Sequence, residues 1–357
     1  MDERRGLPSA SSAERLTLCP ASHGLGLTAP EPPESEVAGM GTRIHSVLAG
    51  EVGAACSDDE MRIADLCVMH MERLLEQTFG DEDVDITHEL RLWHNDKASG
   101  QLDVLAVSRS DPDSHDGRGL VIDFKTGRGE VEHAARNMQL RWQAVLARKH
   151  ASLTEVTVAI IQPYAEGDKV TTCLYSSSTL DMAEREMDKV LELVADETQQ
   201  PNPSAKACKY CRAATICPAA HKEVTELAKV DTTALSGDRV AELLASCELA
   251  EKIITHVRNH ARSILDGGGE VPGWQLRPGV IRQSITDLPG LYARLNASHE
   301  VSGEEFADSC TATKGKVKAL LKDKTQLKGR QLDEELNAML DGFTDSKQSS
   351  PQLKRLV

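Results

Sequence analysis

A chain of 357 residues carrying 56 acidic and 41 basic side chains, formally −15, is too long for one average domain and short for three. That balance argues against a broadly basic surface that coats nucleic acid. Neither the opening Met1-Asp2-Glu3-Arg4-Arg5-Gly6 nor any later run is apolar enough for a secretory leader or a membrane span. The expectation is therefore a cytoplasmic protein, in a bacterial or phage-infected cell, whose nine cysteines are kept reduced.

In chain order, a helical start contains Cys19-Pro20, and Gly39-Met40-Gly41 opens a helix carrying His45 ahead of Val47 and Leu48. Alone, His45 reads as a partly buried structural histidine as readily as a ligand. A helix is expected around Asp59–Glu76, then strands near Glu89–Trp93, Gln101–Val107 and Leu120–Lys125. Turn formers crowd Ser110 to Gly117, so the second and third strands form a hairpin that brings Asp103 near Asp123. Alternation puts Val121, Asp123 and Lys125 on one face of the third strand, with Ile122 and Phe124 on the other. A buried acid beside a buried base is costly unless they pair with each other or with a cation. Two carboxylates and an ammonium on one patch suit Mg²⁺ or Mn²⁺ with room for a substrate phosphate, against the plainer reading of a buried Asp–Lys–Asp network.

A helix over Ala134–His150 follows, with Gln139 and Gln143 flanking the apolar stripe Met138, Trp142, Val145 and Leu146 as boundary residues. Strands at Val156–Gln162 and Lys169–Tyr175 and a helix at Asp181–Glu197 complete an α/β pattern. After the break Gln199-Gln200-Pro201-Asn202-Pro203-Ser204 comes Cys208-Lys209-Tyr210-Cys211, then Cys217-Pro218: three thiolates that need a fourth, for which Cys19 is the best candidate. One tight pair is less than the two knuckles usual for structural zinc. Cysteine followed by proline recurs in iron–sulfur runs, so iron–sulfur is favoured and zinc is the alternative. Cys56, Cys67, Cys173, Cys247 and Cys310 are scattered singly, as small buried hydrophobes are. From Thr225 long helical stretches take over, the strongest at Gly237–Asp266. Residues 311–330 then carry Lys314, Lys316, Lys318, Lys322, Lys324, Lys328 and Arg330 against Asp323 alone, either a solvated helix face or a phosphate-contacting patch.

At these residues the chain resembles the PD-(D/E)XK nuclease superfamily, in its RecB-like branch of AddB-type, CRISPR-associated and phage exonucleases. Gly41-Thr42-Arg43-Ile44-His45 is similar to the helical Gly-x-x-x-His motif, Gly100-x-x-Asp103 to the first acidic motif, and Asp123-Phe124-Lys125 to the second acid with its lysine. Gln139 resembles the glutamine of Gln-x-x-x-Tyr, with Gln143 where the motif has tyrosine, and Glu89 resembles a glutamate preceding the acidic strands. The resemblance implies a restriction-endonuclease-like core, a mixed sheet flanked by helices, with a mainly helical C-terminal region. It implies Mg²⁺ or Mn²⁺ held by His45, Asp103, Asp123 and the Phe124 carbonyl, with Lys125, Gln139 and Glu89 completing the catalytic set. The split cysteines resemble the [4Fe–4S] clip of AddB-type nucleases. The expected organisation is a nuclease domain over residues 1–222, closed by Cys19, Cys208, Cys211 and Cys217, then a helical region over 223–357. The implied activity is a metal-dependent DNA exonuclease acting on DNA ends in phage recombination or repair. A recombination or single-strand-annealing protein is a fitting partner, and self-association is compatible. Rival readings are a nuclease-derived DNA-binding accessory protein and a structure-specific or RNA-directed endonuclease.

Overall fold

Alternating apolar residues build the sheet around which everything else is arranged. The structure is a computed structural model and describes residues 6–29, 36–51, 56–108, 117–230, 236–276, 288–299, 302–310, 313–325 and 327–340. Four helices come first: α1 (Ala13–Leu18), α2 (Ser22–Thr28), α3 (Glu36–Leu48) and α4 (Asp58–Phe79). Strand β2 (Ala98–Ser108) runs antiparallel to both its neighbours, β1 (Val84–His94) and β3 (Arg118–Phe124). Helix α5 (Met138–Ala151) then crosses over to β4 (Glu155–Ile161), which pairs parallel with β3, as such a connection requires. Strand β5 (Val170–Tyr175) returns antiparallel, giving the order β1-β2-β3-β4-β5. Most of the turn expected over Ser110 to Gly117 lies outside the described residues, but its consequence is visible in the β2–β3 register.

The sheet separates two cores. Leu105 and Val121 face α5 and α6 (Ser177–Ala195), together with Trp142, Leu146, Leu180, Met187 and, from α1, Leu16. Val104, Ala106, Ile122 and Phe124 face the other way, onto Ile44 of α3 and Ile63, Cys67 and Leu74 of α4. With both faces covered, β3 is buried almost throughout, the reason it reads as a continuous apolar run. The α/β expectation therefore holds, as a mixed five-stranded sheet flanked by helices.

Local chemistry sets the helix ends. Ser57 and Glu60 form a reciprocal capping box on α4. Asn137 accepts from Leu140 N at 3.1 Å, so α5 starts at Met138 and the expected helix over Ala134–His150 is broken there, its first residues forming a separate 3-10 turn. A ladder of ion pairs ties α5 to α6: Arg141–Glu186 at 2.7 Å, Arg148–Asp181 at 2.5 Å and Lys149–Glu184 at 2.6 Å.

The N-terminal segment is stitched to the sheet where Ser9 bridges Ser99 and Ser99 N donates to Pro8 O at 2.9 Å. This brings Cys19, at the end of α1, to a third core formed with α7 (Ala205–Cys208), α8 (Pro218–Leu227) and α9 (Gly237–Asp266). Residues 1–276 form one compact unit, so the expected boundary at 222/223 falls inside it, and α9 packs with the cysteines through Leu249 and Ile253. Residues 277–357 form the second unit, with α10 (Leu288–His299), α11 (Gly303–Ser309), α12 (Lys314–Thr325) and α13 (Gly329–Leu340). Within it Leu332 and Leu336 of α13 are buried. Among the described residues no helix is long and apolar enough to cross a membrane.

Candidate metal and acid–lysine centre

The end of β3 presents Asp123 to one side and continues into Lys125. The β2–β3 register, Val104 opposite Ile122, sets Asp103 opposite Asp123 in the next pair along. Asp103 Oδ2 accepts from Phe124 N at 2.7 Å, which fixes its carboxylate against the neighbouring strand. Asp123 is 2% exposed and held from two directions. Gln139 Nε2 donates to its Oδ1 at 2.6 Å, and Lys125 Nζ lies 2.7 Å from its Oδ2. Lys125 also reaches Gln139 Oε1 at 3.3 Å, closing an Asp–Lys–Gln triangle. The Lys125 approach to Oδ2 is close but off the line of a directed hydrogen bond, so that buried oxygen keeps lone-pair capacity to spare.

Helix α3 brings His45 in from the opposite face. Its Nδ1 lies 3.5 Å from Glu89 Oε1 and 3.6 Å from Asp103 Oδ2, and its ring meets Phe124 edge-on at 6.3 Å. His45, Glu89 and Asp103 thus offer three ligand atoms around one point. Glu89 reaches it through an unusual backbone: its φ of 49° is left-handed, and the β1–β2 ladder skips from His88–Val104 to Leu90–Leu102 at this residue. Left-handed geometry at a non-glycine residue costs on the order of 1 kcal/mol or more and persists where the surroundings over-determine it. Here Gln101 Nε2 donates to the Glu89 carboxylate while Arg91 donates to the side-chain amide oxygen, Oε1, of Gln101.

Charge in the centre is out of balance. Among the described residues, three carboxylates, Glu89, Asp103 and Asp123, lie with the Lys125 ammonium and the titrating His45. Burial pushes the Asp103 carboxyl up to about 7, and the charge of Asp123 adds to the push against the opposing pull of His45 and the Phe124 N–H. Burial disfavours charge on His45 and on Lys125. It is outweighed in both, by Glu89, Asp103 and Asp123 for the imidazole and by Asp123 and Asp103 for the ammonium, so both hold their protons more tightly than usual. Glu89 is moved the other way: burial would raise it, but hydrogen bonds from His45 and Gln101 keep it below the ordinary carboxylate range. Such a centre takes up a proton on Asp103 near neutrality unless a cation replaces it, and oxygen ligands with one imidazole suit a hard divalent ion.

His45, Glu89, Asp103, Asp123, Lys125 and Gln139 therefore lie together, with Asp123 held by Gln139 and Lys125 and Glu89 beside His45, while Phe124 contributes its N–H to Asp103. Gln143 is different from expectation. It is no boundary residue but fully buried, donating to Gln101 O at 2.7 Å, so it braces β2 and faces no solvent. Gln101 escaped the sequence reading, although alternation puts it on the face of Asp103 two residues on. Gly100 is required by packing: a Cβ there would stand 2.5 Å from Leu146 Cδ1 and 3.0 Å from Ala10 Cβ.

Cys19, Cys208, Cys211 and Cys217 line one small cavity, every one of them buried. Asn202 N donates to Cys19 Sγ at 3.2 Å, and Arg15 lies close enough to feel Cys19 and Cys211. Burial pushes the Cys208 thiol up to about 11 and raises Cys211, so a thiolate at either of these two positions is favoured by a bound cation. Of the scattered cysteines only Cys67 is buried. Cys247 is exposed on α9 and Cys56, Cys173 and Cys310 are intermediate, because a lone cysteine takes whatever exposure its element imposes. A further group, His94, Glu184 and Asp188, belongs to the α5–α6 ladder, with His94 Nε2 2.7 Å from Asp188 Oδ1 and Glu184 already paired to Lys149.

Fold and centre together define an α/β protein with a partly buried histidine–carboxylate–lysine centre at its sheet and a separate four-cysteine pocket. The chain belongs to the DUF2800 family, described as proteins of unknown function, whose profile matches residues 82–354. No curated protein matches the sequence significantly. Among solved structures it is similar to the protein SSO0001, at 17% identity and TM-score 0.30, covering 61% of this chain and 89% of that one. It is also similar to an alkaline exonuclease from Laribacter hongkongensis (14%, 0.27, covering 54% and 90%) and to a phage-related exonuclease from Haemophilus somnus 129PT (10%, 0.25, covering 53% and 93%).

Proposed function

We propose that this protein is a divalent-metal-dependent DNA nuclease of RecB-like type, an exonuclease acting on DNA ends. The observation that carries the reading is the charge-unbalanced centre in which Asp103, Glu89 and His45 converge beside the Asp123–Lys125–Gln139 triangle. His45, Glu89 and Asp103 would hold the ion, with Asp123 beside them as a further carboxylate. A bound Mg²⁺ or Mn²⁺ would supply a water of lowered pKa and positive charge for the scissile phosphate. Lys125, held charged by Asp123, orients a nucleophilic water and offers its ammonium to the charge that develops on the phosphate oxygens. Gln139 positions Lys125 and Asp123 against each other. The Phe124 N–H and the Gln101 amide keep Asp103 and Glu89 aimed.

The four-cysteine pocket holds a [4Fe–4S] cluster that ties the N-terminal helix to the knuckle and to α9. The Pro after Cys19 and Cys217 and the single tight cysteine pair favour this over zinc, which an all-thiol donor set would also suit. On α12, Lys314 bonds Asn337 at 3.0 Å and Lys318 pairs with Asp333, while the exposed Lys322 and Lys324, with Lys328 beyond the end of the helix, meet phosphates.

Purified protein incubated with linear and covalently closed duplex DNA in Mg²⁺, Mn²⁺ or EDTA tests the reading. Degradation of linear DNA in the metals alone is expected. Nicking or linearisation of the closed circle would favour an endonuclease, and tight DNA binding with no cleavage in either metal would favour the accessory-protein alternative.

A further inference from the structure

The carboxyl ends of β3 and β4 lie side by side, since the two strands are parallel and pair as far as Phe124 with Ile161. Lys125 N carries the ladder one residue further, donating to Ile161 O at 2.9 Å. Open α/β sheets bind ligands outside the carboxyl ends of their strands. The two segments that leave this end are fastened to each other. Gln162, 6% exposed, donates through Nε2 to Gly127 O at 2.9 Å and to Gly129 O at 2.7 Å. Arg128 comes between those two held carbonyls and is exposed, its guanidinium carbon over the Tyr164 ring at 5.2 Å from the centroid. It is three positions along the chain from Lys125, so the two Cα atoms are at most about 11 Å apart.

An arginine over an aromatic ring occurs about once in 70–80 residues, and by itself such a pair marks nothing. Two further features set this one apart. A buried amide is committed to the backbone on either side of Arg128, so the position of the loop is fixed from within the fold. Among the described residues no carboxylate pairs with Arg128, whereas Arg141, Arg148 and Lys149 each meet one. A guanidinium over a ring spends a face and no N–H donor, and its weakly hydrated fork matches the oxygens of a phosphate.

We propose that Arg128, set over Tyr164, binds a backbone phosphate of the DNA strand being cut, close to the phosphate that meets Lys125, and that Gln162 is the residue that positions it. The inference rests on the nuclease reading above and adds a contact made by neither the metal ligands nor the lysine. A phosphate contact fixes register and carries no sequence information, which suits an enzyme that must degrade any end it meets. With one phosphate held at Arg128, the strand is presented to Lys125 in one register.

The test is steady-state cleavage of an end-labelled linear duplex in Mn²⁺ by the wild type, Arg128→Ala, Gln162→Ala and the double variant. Arg128→Ala should raise KM about 5- to 30-fold, the loss falling on KM as it does when a binding contact is removed. The slope of log KM on log salt should flatten by about 0.9, the share of one phosphate contact. Gln162→Ala should raise KM less, and adding it to Arg128→Ala should cost little more, because its effect passes through the arginine. Single phosphates of the substrate are then replaced in turn by uncharged methylphosphonates. The wild type should lose affinity at a linkage within about three nucleotides of the cut, and Arg128→Ala should be indifferent to that linkage. The wild-type scan uses the unaltered protein, so it decides the matter even if Gln162→Ala unfolds. An unchanged KM and salt slope in Arg128→Ala, additive losses in the double variant, or a scan in which Arg128→Ala responds wherever the wild type does would overturn the inference while leaving the nuclease reading intact. No cleavage by the wild type in any metal would remove both.

Discussion

Asp103→Asn should make the metal-free protein more stable at pH 8 while destroying its response to divalent ions. The carboxyl of Asp103 moves from an ordinary 3.8 to about 7, mainly by burial and then by the charge of Asp123. A folded-state pKa above the unfolded one is a penalty on the folded state: absent below pH 4, where both states hold the proton, growing between pH 4 and 7, and complete above. About three pKa units correspond to about 4 kcal/mol. Asparagine keeps the side chain's size and a carbonyl oxygen for the 2.7 Å bond from Phe124 N, so packing and that hydrogen bond survive. Loss of the Asp103 charge also removes one partner of His45, which offsets on the order of 1 kcal/mol. The net gain expected at pH 8 in EDTA is thus about 2–4 kcal/mol, shrinking towards zero by pH 4. Urea denaturation of both proteins across that range reads it directly. Saturating Mn²⁺ should stabilise the wild type, by about 2.7 kcal/mol at a hundredfold excess over Kd, and Asp103→Asn hardly at all. A variant equally destabilised at every pH would refute the reasoning, because it would mean that Asp103 is a satisfied structural residue.

Metal binding should displace protons from Asp103 and His45, so Mn²⁺ affinity should rise from pH 6 to pH 8. Calorimetry in buffers of different ionisation heat should count about one to two protons released. Cys19→Ala should lower metal content and melting temperature together, whereas a change at exposed Cys247 should alter neither, as elemental analysis and thermal melts would show. Neutralising Lys322, Lys324 and Lys328 should weaken DNA binding and flatten its dependence on salt by about 0.9 per lost phosphate contact, measured as the slope of log affinity on log salt.

The parts of this architecture governed by local pattern were legible in the sequence. Helix Gly237–Asp266 and the face partition of β3 follow from periodicity alone, and the Asp103–Asp123 pairing follows once two strands of opposite direction are joined by a tight turn. What escaped depends on tertiary partners. Gln143 carries no mark that its amide will find Gln101 O, and a polar residue beside an apolar stripe defaults to the boundary. Glu89 joins His45 only because Gln101 and Arg91 hold it across a left-handed break in β1, which no strand periodicity encodes. The start of α5 at Met138 was available in principle, since Asn137 is a strong N-cap, but the apolar spacing upstream masks it. Exposure of Cys247 reflects the face of α9 that other elements leave uncovered.

The most direct measurement is the degradation time course of end-labelled linear duplex in Mn²⁺ by the wild type beside folded Lys125→Ala and Asp123→Ala. The ammonium of Lys125 and the carboxylate that keeps it charged should be worth a hundredfold or more in rate, on the order of 3 kcal/mol in the transition state, so both variants should leave the substrate essentially intact. Near wild-type degradation by either would contradict the assignment of this centre as the site of DNA cleavage.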